Sequence, residues 1–234
     1  MIKSMKFFIL SLFIFLVSCK TQNDNTEVYR VNREVTDSLV IYTPQFSSID
    51  LVCGVEPTKE DSTIVFCCAA AFTHDYVEFA HSNIEGNHVS NGIFYEGNFC
   101  RVNTGHFVYS EQGWSFAYGL NDSLLLCAAE NGGMGFSQAI LIYDGDIKTK
   151  KLFSIKTNFR SLCELNGELC VVETKFPMNF DLYVEALKLL GVTNSIYLDM
   201  GTWAYAWYRD VDKINEIFVD AHSKYMTNWI VFRK

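Results

Sequence analysis

The sequence predicts an α+β fold: largely antiparallel sheet with a few packed helices, in a single domain. Three observations carry this expectation. Short runs rich in β-branched and aromatic residues alternate with turn dipeptides such as Asp144-Gly145 and Asn166-Gly167. Two stretches carry helical patterning, with capping residues before them and glycine after. Between residues 36 and 234 there is neither an internal repeat nor an interior linker.

The N-terminal residues read differently. Lys3 and Lys6 precede an apolar run over residues 7–17, which ends in Leu16, Val17, Ser18 and Cys19. The run is too short to span a bilayer and sits where a signal peptide belongs. The last four residues resemble a bacterial lipobox, which implies export and lipidation of Cys19. Residues 20–27 have no large apolar side chain and cannot bury enough surface to fold. Residues 1–18 are therefore expected to be the signal peptide, 19–35 the lipidated cysteine and polar tether, and 36–234 the folded domain. No later segment is long and apolar enough to cross a membrane, so the lipid is the expected contact with one, at the cell envelope and on the outer membrane in particular.

Within the domain, residues 40–42, 50–53 and 63–68 read as strands. Residues 93–95 and 99–102 flank a Glu96-Gly97-Asn98 turn and predict a hairpin. Residues 106–109 and 114–118, and residues 162–165 and 169–172, predict two more. A strand over 140–143 runs into Asp144-Gly145. A helix over 124–130 follows Asn121, Asp122 and Ser123 and stops at Gly132-Gly133. A second, started by Asn179 or Asp181, runs through Leu190 with Leu182, Ala186, Leu187 and Leu190 on one face and Gly191 past its end. Residues 195–198 then form a strand entering Asp199.

Composition narrows the partners. A net charge of −8, with no cluster of Lys and Arg, argues against nucleic acid. Seven cysteines follow Cys19, an odd number with no paired metal-binding spacing; most sit in apolar runs, where buried free thiols are the default and one disulfide stays open. No cofactor is expected. His74, His81 and His88 recur every seven residues, a spacing that fits neither a strand nor a regular zinc site, so no metal is expected either. The run from Asn131 to Gly135 follows a helix and precedes a strand, the reverse of a phosphate-cradling loop.

Chemistry concentrates in the second half. Asp199 ends a strand and is followed by Met200 and Gly201, an arrangement that suits either a functional carboxylate or a turn-capping Asp. Arg160 opens a hairpin strand and is either an anion-binding guanidinium or a surface residue. Glu173 closes the partner strand and could form a simple ion pair with it. Trp203, Tyr205, Trp207 and Tyr208 are either a stacking platform or a half-buried strand.

Taken in order, these segments resemble the phosphodiester glycosidase family over residues 64–209. The stretch 68–72 stands where that family has a strand ending in an Asn-Gly-Gly run, with alanines here in place of the asparagine. Residues 89–97 and 128–145 resemble two following segments. Phe159-Arg160-Ser161-Leu162 is similar to a Pro-Arg-Thr-Ala segment. Leu198-Asp199-Met200-Gly201 is similar to a Leu-Asp-Gly-Gly signature, with Met200 in place of glycine. The resemblance implies a hydrolase of a sugar phosphodiester or related glycoside, with a phosphorylated sugar or glycan as partner. Asp199 would be an ionised nucleophile, base or stabiliser, with Glu173 and His88 as candidates for the second acid–base group. Arg160, Asn131 and Trp203 would bind substrate. A non-catalytic glycan-binding surface lipoprotein is the alternative.

Overall fold

The first strand already lies inside the stretch expected to be tether. In the computed structural model, which describes residues 30–73, 79–200, 204–211, 213–218 and 226–234, β1 spans Val31–Val35 and pairs with β2, Leu39–Pro44. The fold therefore takes in residues 31–35. Val31 anchors the strand in the core while the rest of β1 is exposed, which is why its polar composition reads as linker.

The strands that follow are β3 (Ser48–Cys53), β4 (Ile64–Ala69), β5 (His88–Ser90) and β6 (Ile93–Tyr95). Next come β7 (Gly105–Ser110), β8 (Gly113–Tyr118), helix α1 (Ser123–Glu130), β9 (Met134–Gln138), β10 (Ile140–Tyr143) and β11 (Asp146–Ile147). The remainder comprises β12 (Arg160–Leu165), β13 (Glu168–Thr174), helix α2 (Phe180–Leu190), β14 (Asn194–Leu198), β15 (Ala206–Asp210), β16 (Lys213–Ile217) and β17 (Asn228–Arg233). Among the described residues, two α-helices against this many strands make the fold mainly β rather than a balanced α+β, though sheet-rich and single-domain as expected.

Three antiparallel sheets hold the strands, in the orders β1-β2-β13-β12-β14-β10-β11, β16-β15-β4-β17-β3 and β6-β5-β9-β7-β8. Their inner faces meet in one apolar core that includes Tyr42 and Leu162 from the first sheet, Phe66 and Ile230 from the second, and Phe107 and Phe136 from the third. The first sheet is covered on its other face by α2, so β12, β13 and β14 are buried on both sides. That explains the apolar runs at their centres, such as Leu162-Cys163, Leu169–Val172 and Ile196–Leu198.

Turn chemistry sets the hairpins. Asn166-Gly167 and Asp144-Gly145 both have positive φ at both positions, the geometry that matches strand twist. Asn91-Gly92 does too, with φ of 51° and 71°. It pairs β6 back onto β5, whereas the sequence suggested residues 99–102 as the partner. Gly97 is not a hairpin turn but a close approach: a Cβ there would lie 2.1 Å from the Gly86 carbonyl oxygen. Helix α2 buries Leu187 and packs Ala186 and Leu190 against the core as expected, but its inward face is shifted. Phe180, Tyr183, Val184 and Leu187 point inward, and Leu182 is exposed. The pattern at i, i+3, i+4 and i+7 is intact but starts at Phe180. At roughly 1.5–3 kcal/mol per buried large side chain, this face outweighs the helix's modest intrinsic propensity.

All seven cysteines after Cys19 are free. Cys67, Cys68, Cys163 and Cys170 are buried and Cys127 is exposed. Two of the glycines after α1 serve packing: a Cβ on Gly133 or Gly135 would strike the backbone of β7. No helix among the described residues is long and apolar enough to cross a membrane.

Candidate active site

Strand β14 lies inside the seven-stranded sheet, between β12 and β10, and delivers Asp199 at its end. The Asp199 N–H donates to the Ala70 carbonyl at 2.9 Å, joining the ends of β14 and β4. Its Oδ1 accepts the Met200 N–H at 2.9 Å. Asp199 is only 6% exposed. That burial pushes the carboxyl up to about 8; the Met200 bond opposes the shift and the Glu85 charge adds to it. This shift runs against the ionised Asp199 that the resemblance implies. A carboxyl shifted in this direction suits a proton donor rather than an ionised nucleophile.

Arg160 is elsewhere engaged. It sits opposite Leu198 on β14 and opposite Glu173 on β13. The pleat therefore places Leu198, not Asp199, on the face shared by Arg160 and Glu173. Arg160 Nε and Nη2 donate to one Glu173 oxygen at 3.1 and 2.8 Å, and the Tyr42 hydroxyl donates to the other at 2.9 Å. Nη2 also donates to the Ala204 carbonyl, and the Phe218 ring lies 5.9 Å from the guanidinium carbon. Burial and the adjacent Glu173 carboxylate push the Tyr42 hydroxyl well above its ordinary value. Arg160 is completely buried, so the guanidinium expected to receive a phosphate instead receives Glu173. Glu173, a candidate acid–base group, is committed to accepting hydrogen bonds from Arg160 and Tyr42. Arg160 Nη1 has no hydrogen-bond partner among the described residues.

The remaining candidates scatter. His88 is buried and bonded to His81 and the Gly86 carbonyl. Asn131 caps α1, its amide donating to the Cys127 carbonyl, and lines a different cleft with Asn91 and Gly132. Trp203 and Gly201 lie outside the described residues, as do Cys19, His74 and His222. Trp207 and Tyr205 are core side chains, 1% and 7% exposed, which removes them from any stacking platform; of that set Tyr208 alone is half-buried among the described residues.

A cleft beside Tyr197 brings together residues that no sequence cue singled out. A hollow of about 430 Å³ is lined by residues that include Phe72, Glu85, Arg101 and Phe153. Phe72 and Phe153 both pack on Tyr197, two residues before Asp199. Glu85 lines the hollow and acts on the Asp199 carboxyl. Arg101 is exposed at its edge. These residues come from loops between strands, where no periodicity announces a site.

No family model matches the chain, and no curated protein matches it. Among solved structures, it is similar to the catalytic domain of zebrafish N-acetylglucosamine-1-phosphodiester alpha-N-acetylglucosaminidase, auto-inhibited by its pro-peptide. The TM-score is 0.61 at 15% identity, over 90% of this chain and 85% of that one. A hypothetical protein from Synechocystis aligns with a TM-score of 0.48 and 10% identity, over 88% of this chain and 62% of that one. The first of these similarities establishes a distant relationship of fold.

Proposed function

We propose that the protein is a hydrolase of a sugar phosphodiester or related glycoside. The observation that carries the reading is the buried Asp199 carboxyl at the end of an interior strand, two residues from Tyr197, whose ring packs on Phe72 and Phe153 in the lining of a hollow that also holds the Glu85 carboxylate and the Arg101 guanidinium. Cleavage of such a bond needs a proton for the departing oxygen, and a buried carboxyl with a raised pKa supplies it at neutral pH. Glu85, in the same cleft, is the second carboxylate, placed to stabilise the sugar's developing positive charge or activate water. Arg101 meets the phosphate. The shared fold with a phosphodiester glycosidase domain supports the reaction class.

Turnover of a panel of sugar-1-phosphodiesters by the full chain tests this. Free sugar should appear, and Arg101→Ala should raise KM about ten-fold or more for phosphodiesters while leaving neutral glycosides unchanged. Absence of turnover across the panel overturns the reading.

The same proposal holds the domain at the cell envelope through lipid on Cys19, supported by the charged start, short apolar run and lipobox-like residues 16–19. Cys19→Ser should abolish incorporation of labelled fatty acid and move the protein from the detergent phase to the aqueous phase. A variant that stays lipidated removes the anchor.

A further inference from the structure

We propose that Cys53, His81 and His88 form a binding site for a divalent ion of the zinc class, with the fourth coordination position open. One donor atom from each residue lies within 4.8 Å of the other two. His81 Nδ1 and His88 Nε2 are 2.9 Å apart. Tetrahedral ligands about 2.0–2.1 Å from zinc stand roughly 3.3 Å apart, so the rings need to separate by only a few tenths of an ångström.

The three residues come from separate parts of the fold. Cys53 ends β3 in one five-stranded sheet, His88 opens β5 in the other, and His81 starts the short 3-10 turn His81–Asn83. The two sheets are already joined nearby, where the Ser90 hydroxyl donates to the Leu51 carbonyl at 2.8 Å. An ion here would staple them. No sequence spacing reveals the site because the thiol and the imidazoles meet only through tertiary structure.

The surroundings fit a metal. His88 is buried, and its Nδ1 lies 3.3 Å from the Gly86 carbonyl. An Nδ1–H donated to that oxygen fixes the tautomer and leaves the Nε2 lone pair facing His81, the support that metal-bound imidazoles commonly have. The Tyr95 ring stacks on His81 with centroids 3.4 Å apart and a 5° tilt, and Phe79 packs edge-on at 5.4 Å. These rings hold the imidazole and shield one side from water. Cys53 and His81 are partly exposed, which leaves a route in.

One thiol and two imidazoles are a soft-to-borderline donor set. Calcium and magnesium, which require oxygen ligands, are disfavoured, and zinc is favoured. On binding, the proton shared between the two rings moves to the other nitrogen of His81, and the Cys53 thiol loses its proton to solvent. One proton is released per ion, leaving a thiolate–metal bond.

Cobalt(II) is the probe, titrated into chelator-treated full chain. One equivalent should bind with a thiolate-to-cobalt charge-transfer band, and one equivalent of zinc should displace it. Cys53→Ser should abolish the band, His81→Gln should weaken binding at least ten-fold, and Cys127→Ser, at an exposed cysteine, should change nothing. A missing band, or one that survives in Cys53→Ser, overturns the site. If Cys53→Ser does not fold, unchanged cobalt affinity in His81→Gln overturns it instead. Neither result bears on the sugar hydrolase reading, which uses none of these residues.

Discussion

Glu173→Ala should lower the free energy of unfolding by about 3–5 kcal/mol, the largest single-site loss expected outside the apolar core. The carboxylate is the shared acceptor for two nitrogens of Arg160 and for the Tyr42 hydroxyl, and all three residues are buried. Removing it leaves a guanidinium without counter-charge between two sheets and a hydroxyl without an acceptor. Breaking a buried pair is costly even though the intact pair adds little over apolar packing, because the desolvation of the surviving charge is no longer offset. The same logic predicts recovery. Arg160→Met combined with Glu173→Leu and Tyr42→Phe should regain most of the loss, since no charge or hydroxyl then remains stranded. Urea midpoints at constant m-value measure both effects. A loss below about 1 kcal/mol in Glu173→Ala would show that water reaches the pair. If the triple variant regains stability but not turnover, the pair positions the chain around Ala204, whose carbonyl Arg160 holds.

The hairpins with Asn-Gly or Asp-Gly turns were legible in the sequence because two positive-φ residues in succession leave few alternatives. The hairpin from 93–102 was misread because Asn91-Gly92, just upstream, offers the same chemistry and captures β6 first. α2 was legible as a helix and in part of its inward face, but Leu182 was misplaced, since Leu182 and Leu187 look equally apolar and only contact with the sheet distinguishes them. Strand β1 looked like tether because an edge strand with one buried residue has a linker's composition. At the site, Asp199 was found from its place at a strand's end, but the raised pKa of its carboxyl was not legible, because burial is a property of the assembled sheets. Arg160 and Glu173 emerged together as an ion pair, while the complete burial of Arg160 was not legible because it arises only when the sheets assemble. Glu85 and Arg101 lie in irregular segments and acquire meaning only from what packs beside them.

Asp199→Asn should flatten the dependence of stability on pH and remove most of the turnover. The folded-state pKa is raised to about 8 from an ordinary 3.8. Between those values the folded protein keeps a proton that the unfolded chain has given up, so this group makes stability fall as pH rises from about 4 to about 8 and then level off. At about 1.4 kcal/mol per pKa unit, the whole span is on the order of 5 kcal/mol. An amide keeps the shape and still accepts the Met200 N–H but has no proton to lose, so the variant should be the more stable protein at pH 8 and nearly equal at pH 4. The groups acting with Asp199 are Glu85 and Tyr197, both unchanged in the variant, so subtracting the two pH curves isolates the one carboxyl. Urea unfolding at pH 5 and pH 8 gives that difference, and parallel curves would mean that Asp199 is solvated after all. For turnover, loss of a general acid costs about 10²- to 10⁴-fold, carried in kcat if the proton moves only as the bond breaks. The wild-type rate should decline on the alkaline side near pH 8, where the same proton leaves. Wild-type activity in Asp199→Asn, or a rate that keeps rising beyond pH 9, would show that the departing oxygen takes its proton from another group.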